Sequence, residues 1–136
     1  MQIPGPWDRE IFEKQRRKEP SIMITALCIA LNEADYIFQM LMSIYPAVDK
    51  IIIVEGATKY AVRDTVSPLG LSTDGTAMLI QAFINCLDTE NKIRYIRAGW
   101  VDDKTVLRNR TLEHVPEGTS YLLIADGDYL YIKEDI

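Results

Sequence analysis

From Ser21 onward the chain alternates between two hydrophobic periods. Ile22 to Ala30 is a near-continuous apolar run, as expected of a strand covered on both faces, and this places it at the centre of a sheet. Ile37, Met40, Leu41 and Ile44 then recur at helical spacing, with Asn32 positioned to cap that helix and Pro46 to stop it. Lys50 to Val54 reads as a second strand. After a long loop, Thr73 or Asp74 caps a second helix in which Leu79, Ala82, Phe83 and Cys86 share one face. Lys92 to Ile96 gives a third strand. A third helix, from about Asp103 to Val115, has a poorer apolar stripe and is broken by Pro116-Glu117-Gly118 before the fourth strand, Tyr121 to Ala125. The order βαβαβαβ predicts an α/β fold, a Rossmann-like parallel sheet with helices on both faces. In such sheets ligands sit outside the carboxyl ends of the strands, where the strand order reverses. The polar residues at those ends are Asn32 and Glu33, Glu55, and Asp126 and Asp128.

Composition narrows the partners. At 136 residues the chain fits one folded unit able to bury roughly two thirds of its unfolded surface. Residues 1–20 stand apart, with Pro4, Pro6 and Pro20 around a mixed charged stretch, and read as an N-terminal leader or arm; residues 21–136 read as the folded domain. Ile11, Phe12 and Arg16-Arg17-Lys18 have some character of a membrane-surface helix, but the interleaved Asp8, Glu10, Glu13 and Glu19 weaken it and leave membrane association open. A net charge of −5 with scattered Lys and Arg argues against nucleic acid. Cys28 and Cys86 have no second sulfur at redox or chelating spacing and are expected to be buried packing thiols. No signal peptide is evident and the longest apolar run is too short to span a bilayer, so a reduced, cytoplasmic setting is expected.

The candidate chemistry begins at Asp126-Gly127-Asp128. A buried strand ending in paired carboxylates delivers hard oxygen ligands to the lip of a sheet, where a divalent cation can bridge them to a diphosphate. Asp and Gly also follow strands simply to make turns, so the triplet is weak alone. Its neighbours add to it. Leu31-Asn32-Glu33, Ile53-Val54-Glu55, Ser72-Thr73-Asp74-Gly75-Thr76, Leu107-Arg108-Asn109 and Asp126-Gly127-Asp128 come in the order found in family 2 glycosyltransferases. Residues 21–136 thus resemble the N-terminal, nucleotide-sugar-binding half of a GT-A fold.

The resemblance implies a role for each matching position. Glu55 matches the acid that accepts a hydrogen bond from the base, usually uracil, which favours a UDP-sugar; the family more often has Asp there, followed by another acid. Asn32 and Glu33 match the loop that embraces the nucleoside, and Arg108 matches a cation that pairs with the diphosphate or with the acids; Lys104, one turn earlier, reads either as sharing that work or, by preference, as a plain helical surface charge. Asp126 and Asp128 match the metal-binding pair for Mn²⁺ or Mg²⁺, the first more often touching ribose. The insertion at 58–71, with Lys59, Tyr60, Arg63 and Asp64, reads either as a flap over the donor or as a surface excursion. His114 matches no role, and its place at a helix end makes it a partner for the dipole.

The sequence departs from the family after Asp128. Only Tyr129 to Ile136 remains, so the acceptor half and the general base of an inverting enzyme are missing, and no catalytic residue is assigned. The expectation is a chain truncated after the fourth strand, with an unpaired edge that promotes self-association. Two other classes compete. A sugar-phosphate nucleotidyltransferase needs a Gly-rich basic loop after the first strand, which Ala30-Leu31-Asn32-Glu33 lacks. A non-catalytic nucleotide-binding fragment or phosphoacceptor module uses the same strand-end acids without transfer.

Overall fold

The computed structural model describes residues 22–125; the leader at 1–20 and the Asp126-Gly127-Asp128 triplet lie outside the described residues. β1 (Ile24–Ala30), β2 (Lys50–Thr58), β3 (Ile93–Val101) and β4 (Tyr121–Ile124) form one sheet in the order β3-β2-β1-β4. Every neighbouring pair is parallel, so the fold is α/β and Rossmann-like. β1 is central and β4 is an edge strand among the described residues. The chain steps from β1 outward through β2 to β3, then returns to place β4 on the far side of β1. The strand order therefore reverses between β1 and β4.

Alternation along the strands divides the core in two. Ala26, Cys28, Ile51 and Ile53 face α1 (Ile37–Ile44) and α2 (Thr76–Leu87), where Met40, Leu41, Ile80 and Phe83 are buried against them. Leu27, Ile29, Ile52 and Val54 face the other way, onto Leu107 of α3 (Lys104–Glu113). The four periodic residues of α1 are all buried, and the helix gives way at Tyr45–Ala47 to a 3-10 turn containing Pro46. The weak stripe of α3 is equally real: only Leu107 and Thr111 are buried along it.

Three local expectations are corrected. Asn32 does not cap α1: it adopts the left-handed conformation (φ 52°), the chain turns through residues 34–36, and the helix starts at Ile37 with no side-chain cap. On α2 the inward face is Thr76, Ile80 and Phe83, with Leu79 partly buried, while Ala82 lies on the outer side. Cys86 is exposed there too, and only Cys28 is a buried thiol.

β2 and β3 also run past Val54 and Ile96, to Thr58 and Val101. A bulge permits this: Glu55 pairs with Arg97, but Gly56 pairs with Gly99, which leaves Ala98 as the extra residue. The approach there is too close for side chains. A Cβ on Gly56 would lie 2.6 Å from the Gly99 carbonyl oxygen and 2.8 Å from Cδ2 of Leu107. α3 thus rests on bare backbone beside the carboxyl end of β2.

Candidate functional site

The carboxyl edge of the sheet is crossed by a strap, residues 59–75, which joins β2 to α2. Its sequence explains how it lies down. Gly70, at φ +78°, sits on the backbone of β3, where a Cβ would come within 2.4 Å of the Trp100 nitrogen. Trp100 donates its indole N–H to the Pro68 carbonyl at 2.9 Å, and the Arg63 guanidinium stacks over its ring at 4.9 Å.

On the other flank the strap is tied to the turn after β1. Asn32 donates from Nδ2 to the Thr65 carbonyl at 2.7 Å, and its Oδ1 accepts from the Thr73 amide at 2.9 Å. The Asn32 amide donates to Ser72 Oγ at 2.9 Å, and the Glu33 amide to Thr76 Oγ1 at 2.8 Å. Asp74 accepts from the Ala34 amide at 3.0 Å with one oxygen, and from the amide and hydroxyl of Thr76 with the other, at 3.0 and 2.5 Å. Asp74 thereby starts α2 from the position before its N-cap, Gly75. The Ser72-Thr73-Asp74-Gly75-Thr76 stretch is a clasp between the β1 turn and α2.

Partial burial pushes the Asp74 pKa upward, but its hydrogen bonds from Thr76 and Ala34 outweigh this and hold it below the ordinary 3.8. A carboxyl depressed in the folded state stabilises the fold above its unfolded pKa and loses that contribution as pH falls through and below it. The urea midpoint of the wild type is therefore expected to decline more steeply from pH 5 to pH 3 than that of Asp74→Asn. Parallel declines would show that the clasp carries no such linkage.

Glu55 lies beneath the strap. Its side chain is fully buried on the α1–α2 face; Oε2 accepts from the Ser72 amide at 2.8 Å, while Oε1 accepts from the Tyr95 hydroxyl and from Nε of Arg97 at 3.4 Å. Burial, and then the adjoining Glu55 carboxylate, push the Tyr95 hydroxyl far above its ordinary pKa of 10, so it stays a donor at neutral pH. Arg97 is half-exposed and closes the network at the surface.

The sequence-predicted residues therefore fall into three groups. Asn32, Glu33 and Glu55 are gathered at the carboxyl edge and joined through Ser72 and Thr76. Lys104 and Arg108 belong to α3, on the opposite face of the sheet from the Glu55 carboxylate. Lys104 is exposed, and Arg108 is half-buried, with Nη1 shielded from solvent. Asp126 and Asp128 lie outside the described residues. Ala125, just before them, donates its amide to the Leu27 carbonyl at 2.9 Å, so the described chain ends beside β1.

Sequence reasoning missed Ser72 as a ligand of Glu55, and it missed Tyr95, Arg97 and Trp100 altogether. Arg97 and Trp100 lie beyond Ile96, where the expected strand ended too early although Trp100 and Val101 carry strong strand propensity, whereas Tyr95 lies inside it. Among the described residues, no cluster of three or more His, Cys, Asp or Glu is placed to hold a metal ion, and no helix is long and apolar enough to cross a membrane. The chain matches no protein-family model and no curated protein.

Proposed function

We propose that this chain is the donor half of a GT-A-type glycosyltransferase, which binds a nucleoside-diphosphate sugar, a UDP-sugar by preference, at the carboxyl edge of its sheet in the cytoplasm. The observation that carries the reading is the reversal of strand order between β1 and β4. It makes the Leu31-Asn32-Glu33 turn and the Asp126-Gly127-Asp128 triplet the segments that follow two adjacent parallel strands, the position where α/β sheets bind nucleotides.

Asp126 and Asp128 supply hard carboxylate oxygens, the donor type that Mg²⁺ and Mn²⁺ take, at the point where the chain leaves Ala125 beside β1. When bound, the cation offsets the charge of the diphosphate leaving group. The chain's own residues do the positioning. Asn32 and Glu33 hold the turn that embraces the nucleoside, and Lys104 and Arg108, from the α3 side, approach the phosphates. A direct contact between Glu55 and the base requires Ser72 to give way, because the carboxylate is enclosed by its three donors. The exposed Tyr121, Leu122 and Ile124 on edge strand β4 favour self-association through that edge.

Calorimetric titration with a panel of nucleoside diphosphates, each with and without Mn²⁺, tests the assignment. UDP is expected to bind saturably only when the metal is present, and Asp128→Ala to remove the metal dependence. Equal binding in chelator would reject the proposal.

A further inference from the structure

A second concave surface lies at the other end of the sheet, where β2 and β3 begin and α3 ends. It is a half-open cleft of about 290 Å³ lined by Lys50, Ile52, Asn91, Lys92, Ile93, Arg94, His114 and Pro116. Lys50 and Ile52 alternate onto the α3 face of β2, and Arg94 stands beside Ile52 in the β2–β3 register. His114 is the C-cap residue of α3 and closes the wall.

The charge of this lining is one-sided. No Asp or Glu is among the described lining residues, on a chain whose net charge is −5. Lys92 is spoken for, since its ammonium turns to the Tyr45 carbonyl at 2.8 Å and to Glu90 at 3.1 Å. Among the described residues Lys50 donates only to the Asn91 carbonyl, at 3.1 Å, and no described carboxylate pairs with it. Arg94 and His114 make no side-chain hydrogen bond or ion pair with any described residue. Acids on nearby surface, Glu113 and Glu117, are exposed and outside the lining. The last carbonyls of α3 oppose an anion, but those of Thr111 and Leu112 are already taken by the amides of His114 and Val115.

We propose that this cleft is an anion site for a small phosphate-bearing molecule, held by the Arg94 guanidinium, the Lys50 ammonium and an N–H of the His114 ring. A guanidinium presents a planar fork that matches two phosphate oxygens, and an imidazole offers an N–H donor whether or not the ring is charged. Ile52, Ile93 and Pro116 give the rest of the ligand an apolar wall. Small-molecule sites run from roughly 300 Å³ upward, so the cleft accommodates a compact phosphate ester rather than a dinucleotide. The site is independent of the donor site proposed above, because it sits at the amino ends of the strands and shares no residue with it.

The test is an amide NMR titration with inorganic phosphate, set against chloride at matched ionic strength. Phosphate is expected to give saturable shifts at Lys50, Asn91 to Arg94 and His114 that chloride does not reproduce. Arg94→Ala, at an exposed position without a described partner, should keep the fold and weaken the midpoint by about tenfold. Lys50→Met should weaken it in the same direction, and Arg110→Ala, on the last turn of α3 outside the lining, should leave it unchanged. Shifts that match chloride, that fail to saturate, or that survive Arg94→Ala unaltered would overturn the proposal.

Discussion

Replacing Glu55 by Ala is expected to lower unfolding stability by about 3 kcal/mol, because each buried donor left without an acceptor costs about 1–3 kcal/mol. Two donors lose theirs, the Ser72 amide and the Tyr95 hydroxyl. Arg97 is a different case. Its side chain is 52% exposed and lies 3.4 Å from a carboxylate that keeps the Ser72 and Tyr95 donors, so Arg97→Ala should cost under about 1 kcal/mol. The asymmetry identifies the carboxylate as the hub of the network. The same variant should free the strap, and loss of hydrogen-exchange protection at the Ser72 and Thr73 amides reports this locally. A Glu55→Ala protein with wild-type urea midpoint and wild-type exchange at Ser72 would show that the strap is held by other means.

Phe83→Ala should be costlier still, about 3–5 kcal/mol, the range for emptying a buried aromatic site. Phe83 is 1% exposed and is the side chain through which α2 meets α1: its ring stands edge-on to Phe38 at 5.5 Å and tilted against Tyr45 at 5.6 Å. Small domains are stable by only about 5–15 kcal/mol, so this one change brings the chain close to unfolding. Met78, on the same helix but 70% exposed, supplies the control; Met78→Ala should fall within about 0.5 kcal/mol of wild type. Urea midpoints at unchanged slope measure both. A Phe83 variant as stable as the Met78 variant would contradict the assigned core.

The legibility of the chain was uneven for physical reasons. Ile37, Met40, Leu41 and Ile44 recur at 3.6-residue spacing, and the run from Ile24 to Ala30 is apolar but for Thr25, so burial alone specifies α1 and the central strand. The carboxyl extension of β2 and β3 was hidden because it depends on a bulge, and Gly56 and Gly99 look like breaks in a strand until the close approach of two backbones is seen. Asn32 misled for a related reason. An Asn before an apolar period resembles a helix cap, yet its amide can equally bind a distant segment, here Thr65 and Thr73, 33 and 41 residues away. Long-range hydrogen bonds leave no periodic trace. At the site, Asn32, Glu33 and Glu55 were legible as strand-end residues. The burial of Glu55 was not, since it is produced by a strap whose sequence has no regular period.

Mn²⁺ is paramagnetic and broadens nearby amide resonances, so NMR spectra of the chain with Mn²⁺ and UDP locate the cation directly. Selective broadening at Leu31 to Ala34 and at Ala125, with Asn91 to Arg94 left sharp, is the result expected of a donor site between β1 and β4. Broadening centred on the amino ends of the strands, or none that requires UDP, would contradict it.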